Sequence, residues 1–360
     1  IKKLKNAFEK CVDSINLEII EKREWDKIGK LIKNIEKELE IFRNYAKKFK
    51  VHLIGHAHID MNWLWTYDDT VFTCLRDSET VIDLMNKYKN LTFSQSQVHL
   101  YEIVEEKNKK LFEKIKEKVK NGNWDITANT YVENDLNIVD GESIVRHIIY
   151  SKKYVKEKFN KEVEIMWSPD AFGHPQTIPT IIKNADIKYY YFMRCGKGHP
   201  LFLWEGPDKS RVIAFTSVYN NHIDSDRIFP LFIDYYKKYK IKDFLFVYGI
   251  GDHGGGPTEE DIERKVKLNE KPCIPNLEFS TTHKFFKVIE KHKNKLPVVK
   301  DELNFIFQGC YTTHSDIKKA NRNCENLLLK TEVISSIGFL KKLRYPEEEL
   351  ENLWKKTLFN

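Results

Sequence analysis

Short runs of β-branched and aromatic residues alternate, from residue 51 to about residue 295, with longer stretches in which apolar residues recur at helical spacing. Such alternation is typical of parallel βαβ units, in which each strand is followed by a helix that packs on the sheet. The chain is therefore predicted to be an α/β protein, with either a parallel seven-stranded sheet or a distorted (β/α)7 barrel. The predicted strands are VHLIG, LTFSQS, WDITA, EIMWS, YYYFM, RVIAFT and FLFVYG, and the clearest predicted helices cover residues 78–88, 104–120 and 141–158.

The flanks of this alternating region are helical in pattern. A chain of 360 residues exceeds the ~250 to 300 residues at which one core usually stops growing, so smaller attached pieces are expected. We predict an N-terminal segment of two helices at residues 1–48, an α/β domain at 49–295 and the start of a helical bundle domain at 296–360. Pro346 is well placed to begin the last helix.

Composition argues against two classes of partner. The longest apolar runs, such as FLFVY, fall far short of the ~20 residues needed to cross a bilayer, so no membrane partner is expected. The net charge is +7, but Lys and Arg are interleaved with Glu, which is typical of solvated helix faces rather than of a nucleic-acid groove. The six cysteines form no C-x-x-C pair and are predicted to be reduced thiols, which favours a cytoplasmic protein.

The stretch GHAHIDMNWLW follows the first predicted strand. Residues two apart in an extended segment point the same way, so His56, His58 and Asp60 are expected on one side, where they could bind a zinc-sized ion. The alternative is that one histidine caps the strand and the others are surface groups. Trp63 and Trp65 could pack their indoles on the apolar face of a sugar, although a core aromatic pair explains Trp65 nearly as well.

Two further turns follow predicted strands. In MWSPDAFGHP, Asp170 is held between a proline and a glycine turn, where a ligand or nucleophile would be wanted; an ordinary turn or N-cap aspartate is the alternative. In YGIGDHGGGP, the glycines after Asp252 and His253 allow a ligand to approach the backbone closely. The alternative is a flexible surface loop. A phosphate loop is not expected, because the G-x-x-x-x-G-K-[ST] pattern is missing.

A fourth cluster of polar residues lies in TANTYVENDLN. Its amide and carboxylate groups suit the recognition of sugar hydroxyls, and a solvated loop explains them almost as well. The residues are Asn129, Glu133, Asn134 and Asp135.

Taken in order, these segments resemble the glycoside hydrolase family 38 α-mannosidases. That family carries G-H-x-H-x-D, D-x-F-G-H, G-D-x-G-G-G-P and G-x-Y-T-T, and this chain has GHAHID, DAFGH, GDHGGGP and GCYTTHSDIKKANRNCE. The segments YVENDLNIVDGESIVRH and LWEGPDKSRV are also similar to parts of the family. The resemblance runs from about residue 50 to the end, and the first 48 residues lie outside it.

The resemblance implies a zinc-dependent retaining α-mannosidase that acts on glycans or small mannosides. It implies that His58 and Asp60 are metal ligands, that Asp170 is both ligand and nucleophile, and that Asp252 is the acid/base. Cobalt could fill a similar site. By the same resemblance, further residues are expected to contact substrate (Trp63, Phe172, Arg194, Glu133 and Asp135) or to support the site (His56, His174 and His253).

The chemistry is coherent on its own terms. Retention needs two carboxyl groups ~5 Å apart, one to attack the anomeric carbon and one to protonate the leaving oxygen. Asp170 and Asp252 follow different strands, so the fold could bring them together. The pKa of Asp252 is expected to be raised by Asp170 or by burial.

The sequence departs from the family at its end, because LWKKTLFN stops before the histidine that serves the family as its last zinc ligand. We therefore expect a fragment or one half of a split enzyme, completed by C-terminal domains or a second polypeptide, with self-association left open. Two other functions remain: a metal-dependent deacetylase or amidohydrolase, and a non-catalytic sugar-binding subunit.

Overall fold

The computed structural model describes residues 2–251 and 254–360. Its helices are α1 (Lys2–Asp13), α2 (Leu17–Glu21), α3 (Trp25–Leu39), α4 (Arg43–Ala46), α5 (Tyr67–Lys87), α6 (Val98–Lys107), α7 (Lys109–Asn121), α8 (Gly141–Phe159), α9 (Ile178–Asn184), α10 (Ser225–Tyr239), α11 (Glu259–Asn269), α12 (Thr282–Glu290), α13 (Ser315–Leu340) and α14 (Glu347–Phe359). Its strands are β1 (Lys50–His56), β2 (Phe93–Gln95), β3 (Trp124–Ile126), β4 (Ile165–Ser168), β5 (Tyr189–Phe192), β6 (Leu201–Glu205), β7 (Arg211–Thr216), β8 (Asp243–Tyr248), β9 (Asn276–Phe279) and β10 (Val298–Val299).

The strands form two five-stranded sheets. The first has the order β3-β2-β1-β8, with β9 also paired to β1, and the second has the order β10-β6-β7-β5-β4. Among the described strands, β6 and β7 are the antiparallel pair and the other pairings are parallel. The predicted α/β class is confirmed, and each of the seven predicted strands is present. The three strands that were not predicted are β6, β9 and β10.

The two sheets are joined at both sides, which gives a distorted barrel. On one side, the Asn129 side chain after β3 donates to the carbonyl oxygens of Val163 and Ile165 beside β4, at 2.9 and 2.7 Å. On the other side, the Gly249 amide after β8 donates to the Asn221 carbonyl at 2.8 Å. The carboxyl ends of β1 and β4, which belong to different sheets, can therefore face one space.

The strands of this barrel are buried on both faces, as expected for parallel strands covered by helices. In β1, Val51, Leu53 and Ile54 have no exposed surface. In the second sheet, the Trp167 indole stacks on the Tyr191 ring with centroids 4.0 Å apart. Most positions of the strands in the second sheet, and Val51, Leu53 and Ile54 of β1, are apolar or aromatic, which made these runs recognisable as strands.

Three of the helix predictions are wrong. Helix α5 begins at Tyr67 rather than at residue 78, because Thr66 and Asp69 form a capping box at its start. The predicted helix 104–120 is two helices, since the Asn108 side chain accepts from the Leu111 amide and starts α7 afresh. The N-terminal segment holds four α-helices instead of two.

The C-terminal helices pack on α8 through a charged contact. The Trp354 indole is fully buried, and its Nε1 donates to Glu332 at 2.8 Å. The Arg146 guanidinium lies 4.7 Å from the Trp354 ring centroid and pairs with Glu332 at 2.7 Å. Helix α14 begins after Pro346, as predicted. Over the described residues, no helix has the length and apolar character that a membrane span requires.

Candidate functional site

Three of the predicted ligands come together at the ends of β1 and β4. His58 and Asp60 follow β1, and Asp170 follows β4. Each offers one ligand atom, and these atoms all lie within 4.8 Å of one another. A nitrogen and two carboxylates suit zinc, because zinc is bound by imidazole and carboxylate groups.

His58 is a buried histidine surrounded by carboxylates, and such an environment favours a cation. Its ring is 2% exposed and packs on Tyr219 with centroids 4.6 Å apart, and neither ring nitrogen has a hydrogen-bond partner among the described residues. Burial lowers the pKa of His58, but the carboxylates of Asp60, Glu133 and Asp170 outweigh it and raise the pKa to about 9. The surplus of negative charge fits a bound metal ion.

His56 lies two residues earlier but has no free nitrogen. Its Nδ1 is 2.9 Å from the Ser94 carbonyl oxygen, and the Trp167 indole donates to its Nε2 at 3.3 Å. Burial lowers the pKa of His56 to about 3, so the ring is neutral. The arrangement fits the supporting role predicted for His56 and leaves His58 as the histidine that faces the carboxylates.

Asp170 forms an ion pair with Arg194, and the Arg194 guanidinium lies against two phenylalanine rings. The Arg194 guanidinium pairs with the Asp170 carboxylate and lies 5.2 Å from the Phe172 ring and 5.0 Å from the Phe307 ring. Burial raises the pKa of Asp170, while His58 and Arg194 oppose that rise. Phe172 and Arg194, two predicted substrate contacts, therefore lie beside the predicted nucleophile.

Glu133 lies between the two halves of the site. Its Oε1 accepts from the backbone amides of Asp170 and Ala171 at 2.6 and 3.1 Å, and its Oε2 lies 3.6 Å from His58 Nδ1. Burial raises the pKa of Glu133 to about 7, with His58 opposing the rise. The Gln97 side chain accepts from the Glu133 amide and donates to the Ile59 carbonyl, each at 2.9 Å.

The remaining predicted residues are spread more widely. Asp135 is exposed, and its Oδ1 accepts from two backbone amides at 2.6 and 2.8 Å, so that oxygen closes a turn. His174 is buried, with its Nδ1 2.7 Å from the Tyr190 hydroxyl. Trp63 is 60% exposed and packs edge-on against Trp65. Asp252 and His253 lie outside the described residues.

Two glycines that follow Asp252 and His253 in the sequence contact other parts of the chain. The Gly254 amide donates to the His58 carbonyl at 3.0 Å, and the Gly255 amide donates to the buried Asp77 carboxylate. A Cβ on Gly254 would lie 1.9 Å from Asp77 Oδ2, and its φ of +81° also favours glycine. Close backbone approach was predicted here, although the neighbour it approaches is another part of the chain.

Three residues of the site were missed from the sequence: Asp77, Gln97 and Tyr219. Gln97 and Tyr219 follow the ends of β2 and β7, so their place at strand ends was an available signal. Asp77 lies within α5, where nothing local distinguishes it from a solvated helix residue.

A cavity of about 320 Å³ opens beside the site. Asp60, Glu133 and Gln97 line one wall, and Phe359 and Asn360 at the end of α14 line another. Its volume is at the lower end of the ~300 to 1,000 Å³ typical of small-molecule sites.

Comparison with known families finds two domain models that match this chain. The family model for the glycosyl hydrolases family 38 N-terminal domain matches residues 48–304, and that for the alpha mannosidase middle domain matches residues 306–360.

Individual relatives match over most of this chain. Alpha-mannosidase G of Dictyostelium discoideum is 33% identical over 340 residues, which is 92% of this chain and 31% of the relative. Alpha-mannosidase 2C1 of Homo sapiens is 30% identical over 322 residues, which is 86% of this chain and 31% of the relative. Among solved structures, an alpha-mannosidase from Enterococcus faecalis V583 has the same fold, with a TM-score of 0.67 and 18% identity over 86% of this chain and 38% of that one. The chain thus spans about a third of the length of the curated relatives it matches.

Proposed function

Since this chain belongs to glycosyl hydrolase family 38, we propose that it carries the catalytic site of a zinc-dependent retaining α-mannosidase acting on terminal α-mannosides of glycans or small mannosides. The observation that supports the proposal most directly is the meeting of His58, Asp60 and Asp170 from two different strand ends.

These three side chains would hold the metal ion. Their donor set suits zinc and also accommodates cobalt. The bound ion would supply a Lewis acid that holds two adjacent mannose hydroxyls and favours the flattened ring of an oxocarbenium-like state. Asp60 also lines the cavity, which gives a sugar access to this centre.

Asp170 is the proposed nucleophile. Its carboxylate attacks the anomeric carbon and forms a glycosyl ester, while the bond to the leaving oxygen breaks and that oxygen takes a proton. Arg194 would hold the carboxylate in place through its ion pair, and the two flanking phenylalanine rings would in turn hold the guanidinium.

Asp252 is proposed to give that proton, and then to take one from the water that releases mannose with retained configuration. Its assignment depends on its place in the G-D-x-G-G-G-P segment. Substrate contacts are proposed for Phe172, Arg194, Asp135 and Trp63, and supporting roles for His56, His174 and His253.

The activity is proposed for the protein as completed by further domains, in the same polypeptide or in a second one, because the matched relatives are about three times as long. The proposed divisions remain residues 1–48, 49–295 and 296–360. A reducing, cytoplasmic location is proposed from the six cysteines, which are all free thiols in the structure.

The test is covalent trapping. A fluorinated α-mannosyl donor is incubated with the zinc-loaded protein, and peptide mass spectrometry locates the adduct. The expected result is one mannosyl ester on Asp170, missing from Asp170→Asn. Hydrolysis of an acetylated sugar without an adduct would favour the deacetylase or amidohydrolase, and mannose binding without turnover would favour the non-catalytic subunit.

A further inference from the structure

Glu133 contacts two of the proposed metal ligands with two different oxygens. Its Oε1 accepts from the Asp170 amide at 2.6 Å and from the Ala171 amide at 3.1 Å. Its Oε2 lies 3.6 Å from Nδ1 of His58. One buried carboxylate thus spans the loop after β4 and the loop after β1.

The free oxygen of Glu133 and the free nitrogen of His58 explain each other. Both atoms are buried, and neither has a hydrogen-bond partner in the described part of the chain. A buried polar atom without a partner destabilises the fold, so two such atoms facing each other point to a shared proton. The other nitrogen of the ring, Nε2, lies 3.3 Å from Asp60 Oδ1, on the side of the proposed metal.

The Glu133 backbone is also held at this place. The Gln97 Oε1 accepts from the Glu133 amide, while the Gln97 Nε2 donates to the Ile59 carbonyl between the two ligands after β1. The backbone of Glu133 is therefore anchored to the same loop whose histidine its carboxylate would orient.

We infer that Glu133 is a positioning residue and not a sugar contact: it accepts the Nδ1 proton of His58, which leaves Nε2 for the metal, and it anchors the backbone of Asp170. The inference rests on the proposed zinc function. A histidine that binds a metal usually donates its other nitrogen's proton to a carboxylate or carbonyl, which fixes the tautomer and the ring orientation. Here a single carboxylate would orient one ligand and hold the loop of another.

The inference gives Glu133 a different role from the substrate contact that the family resemblance implied. The Glu133 side chain is only 10% exposed, its Oε1 is occupied by two backbone amides, and its Oε2 faces a protein ring. Neither oxygen is left for a sugar hydroxyl.

The first experiment measures zinc affinity by competition with a chromophoric chelator. Glu133→Gln keeps the size of the side chain but cannot both accept from the Asp170 amide and accept from His58, because one of its two terminal atoms is an NH₂ donor. We expect its zinc Kd to rise about 10- to 100-fold.

The matched control is Glu325→Gln. Glu325 is also fully buried and also accepts from a backbone amide, that of Asp140, at 3.0 Å, but it belongs to α13 and lies outside the ligand cluster. Its zinc Kd is expected to stay within about threefold of wild type. Equal affinity in Glu133→Gln and wild type would overturn the inference alone, whereas a wild type that binds no zinc would overturn the proposed function as well.

The second experiment needs no variant that must fold. The zinc-loaded chain is labelled with ¹⁵N-histidine, and the protonation of each His58 nitrogen is measured by long-range proton–nitrogen correlation. We expect Nδ1 to carry a slowly exchanging proton and Nε2 to show the shift of a metal-bound nitrogen. Metal binding through Nδ1 would overturn the inference.

Discussion

The ends of β1 and β4, and the contact of α8 with the two C-terminal helices, both bury charged groups, but they treat those groups differently. At the helical contact, Arg146 pairs with Glu332, and Glu332 also accepts from the Trp354 indole. At the strand ends, both nitrogens of His58 and Oε2 of Glu133 are left without a hydrogen-bond partner among the residues described. In the helical contact, Arg146 and Glu332 are paired with each other, whereas the strand ends keep unpaired polar atoms beside three carboxylates, where a cation would neutralise the negative charge.

The largest effect is expected from a substitution at the strand ends. Replacement of Asp170 by Asn removes the proposed nucleophile and one proposed ligand, so kcat/KM for an aryl α-mannoside should fall about 10⁴-fold or more. Steady-state kinetics of the completed, zinc-loaded enzyme measure it. Thermal unfolding of the metal-free variant should stay close to wild type; activity within tenfold of wild type would contradict the assignment.

The next largest effect is expected from a substitution in the helical contact. Trp354→Ala should lower the free energy of unfolding by about 3 to 5 kcal/mol, because it opens a cavity and leaves Glu332 short of a donor. Urea denaturation measures the loss. The zinc Kd of the folded variant should not change, so a large shift in that Kd would show that the two regions are coupled.

A third effect depends on pH and comes from His147, a buried histidine outside the ligand cluster. Burial lowers the pKa of His147 to about 3. Between pH 6.5 and pH 3 the unfolded chain therefore binds a proton that the folded chain does not, and stability falls as the pH falls. His147 alone should cost about 2 kcal/mol at pH 5 relative to pH 7.5.

Urea midpoints at both pH values, in wild type and in His147→Gln, test this. The variant should lose about 2 kcal/mol less than wild type on acidification. The same pH sensitivity in both proteins would show that His147 is charged in the folded state.

The smallest effect is expected for an exposed ion pair, because water screens its charges. Lys22, which follows the last residue of α2, forms an exposed pair with Glu18 of that helix, 2.5 Å apart. Lys22→Ala should change the free energy of unfolding by less than about 0.5 kcal/mol, because exposed pairs contribute little. A loss above 1 kcal/mol in urea would mean that surface charge stabilises this chain more than the comparison allows.

Strand prediction succeeded where burial was continuous. The residues of β5 are all aromatic, and every residue of β1 after Lys50 is buried, so both strands differ in pattern from the amphipathic helices. Strands β9 and β10 were missed because their residues are few or mixed with polar ones, and pairing with β1 and β6 makes them strands. Helix α5 was predicted too short because the cap at Thr66 was overlooked.

The sequence by itself determined the α/β class and the placement of histidine and carboxylate groups after strands, because the local periodicity of a chain records which faces are buried. His56 and His58 are equivalent by spacing, and the family resemblance alone assigned the ligand role to His58; the tertiary structure adds the physical reason for that difference. His56 is occupied by Ser94 and by Trp167, which lies 111 positions away, and Glu133 meets Asp170 across 37 positions. Such partners are chosen by packing, which local periodicity does not encode, and they decide which buried polar atoms remain free to bind a metal ion.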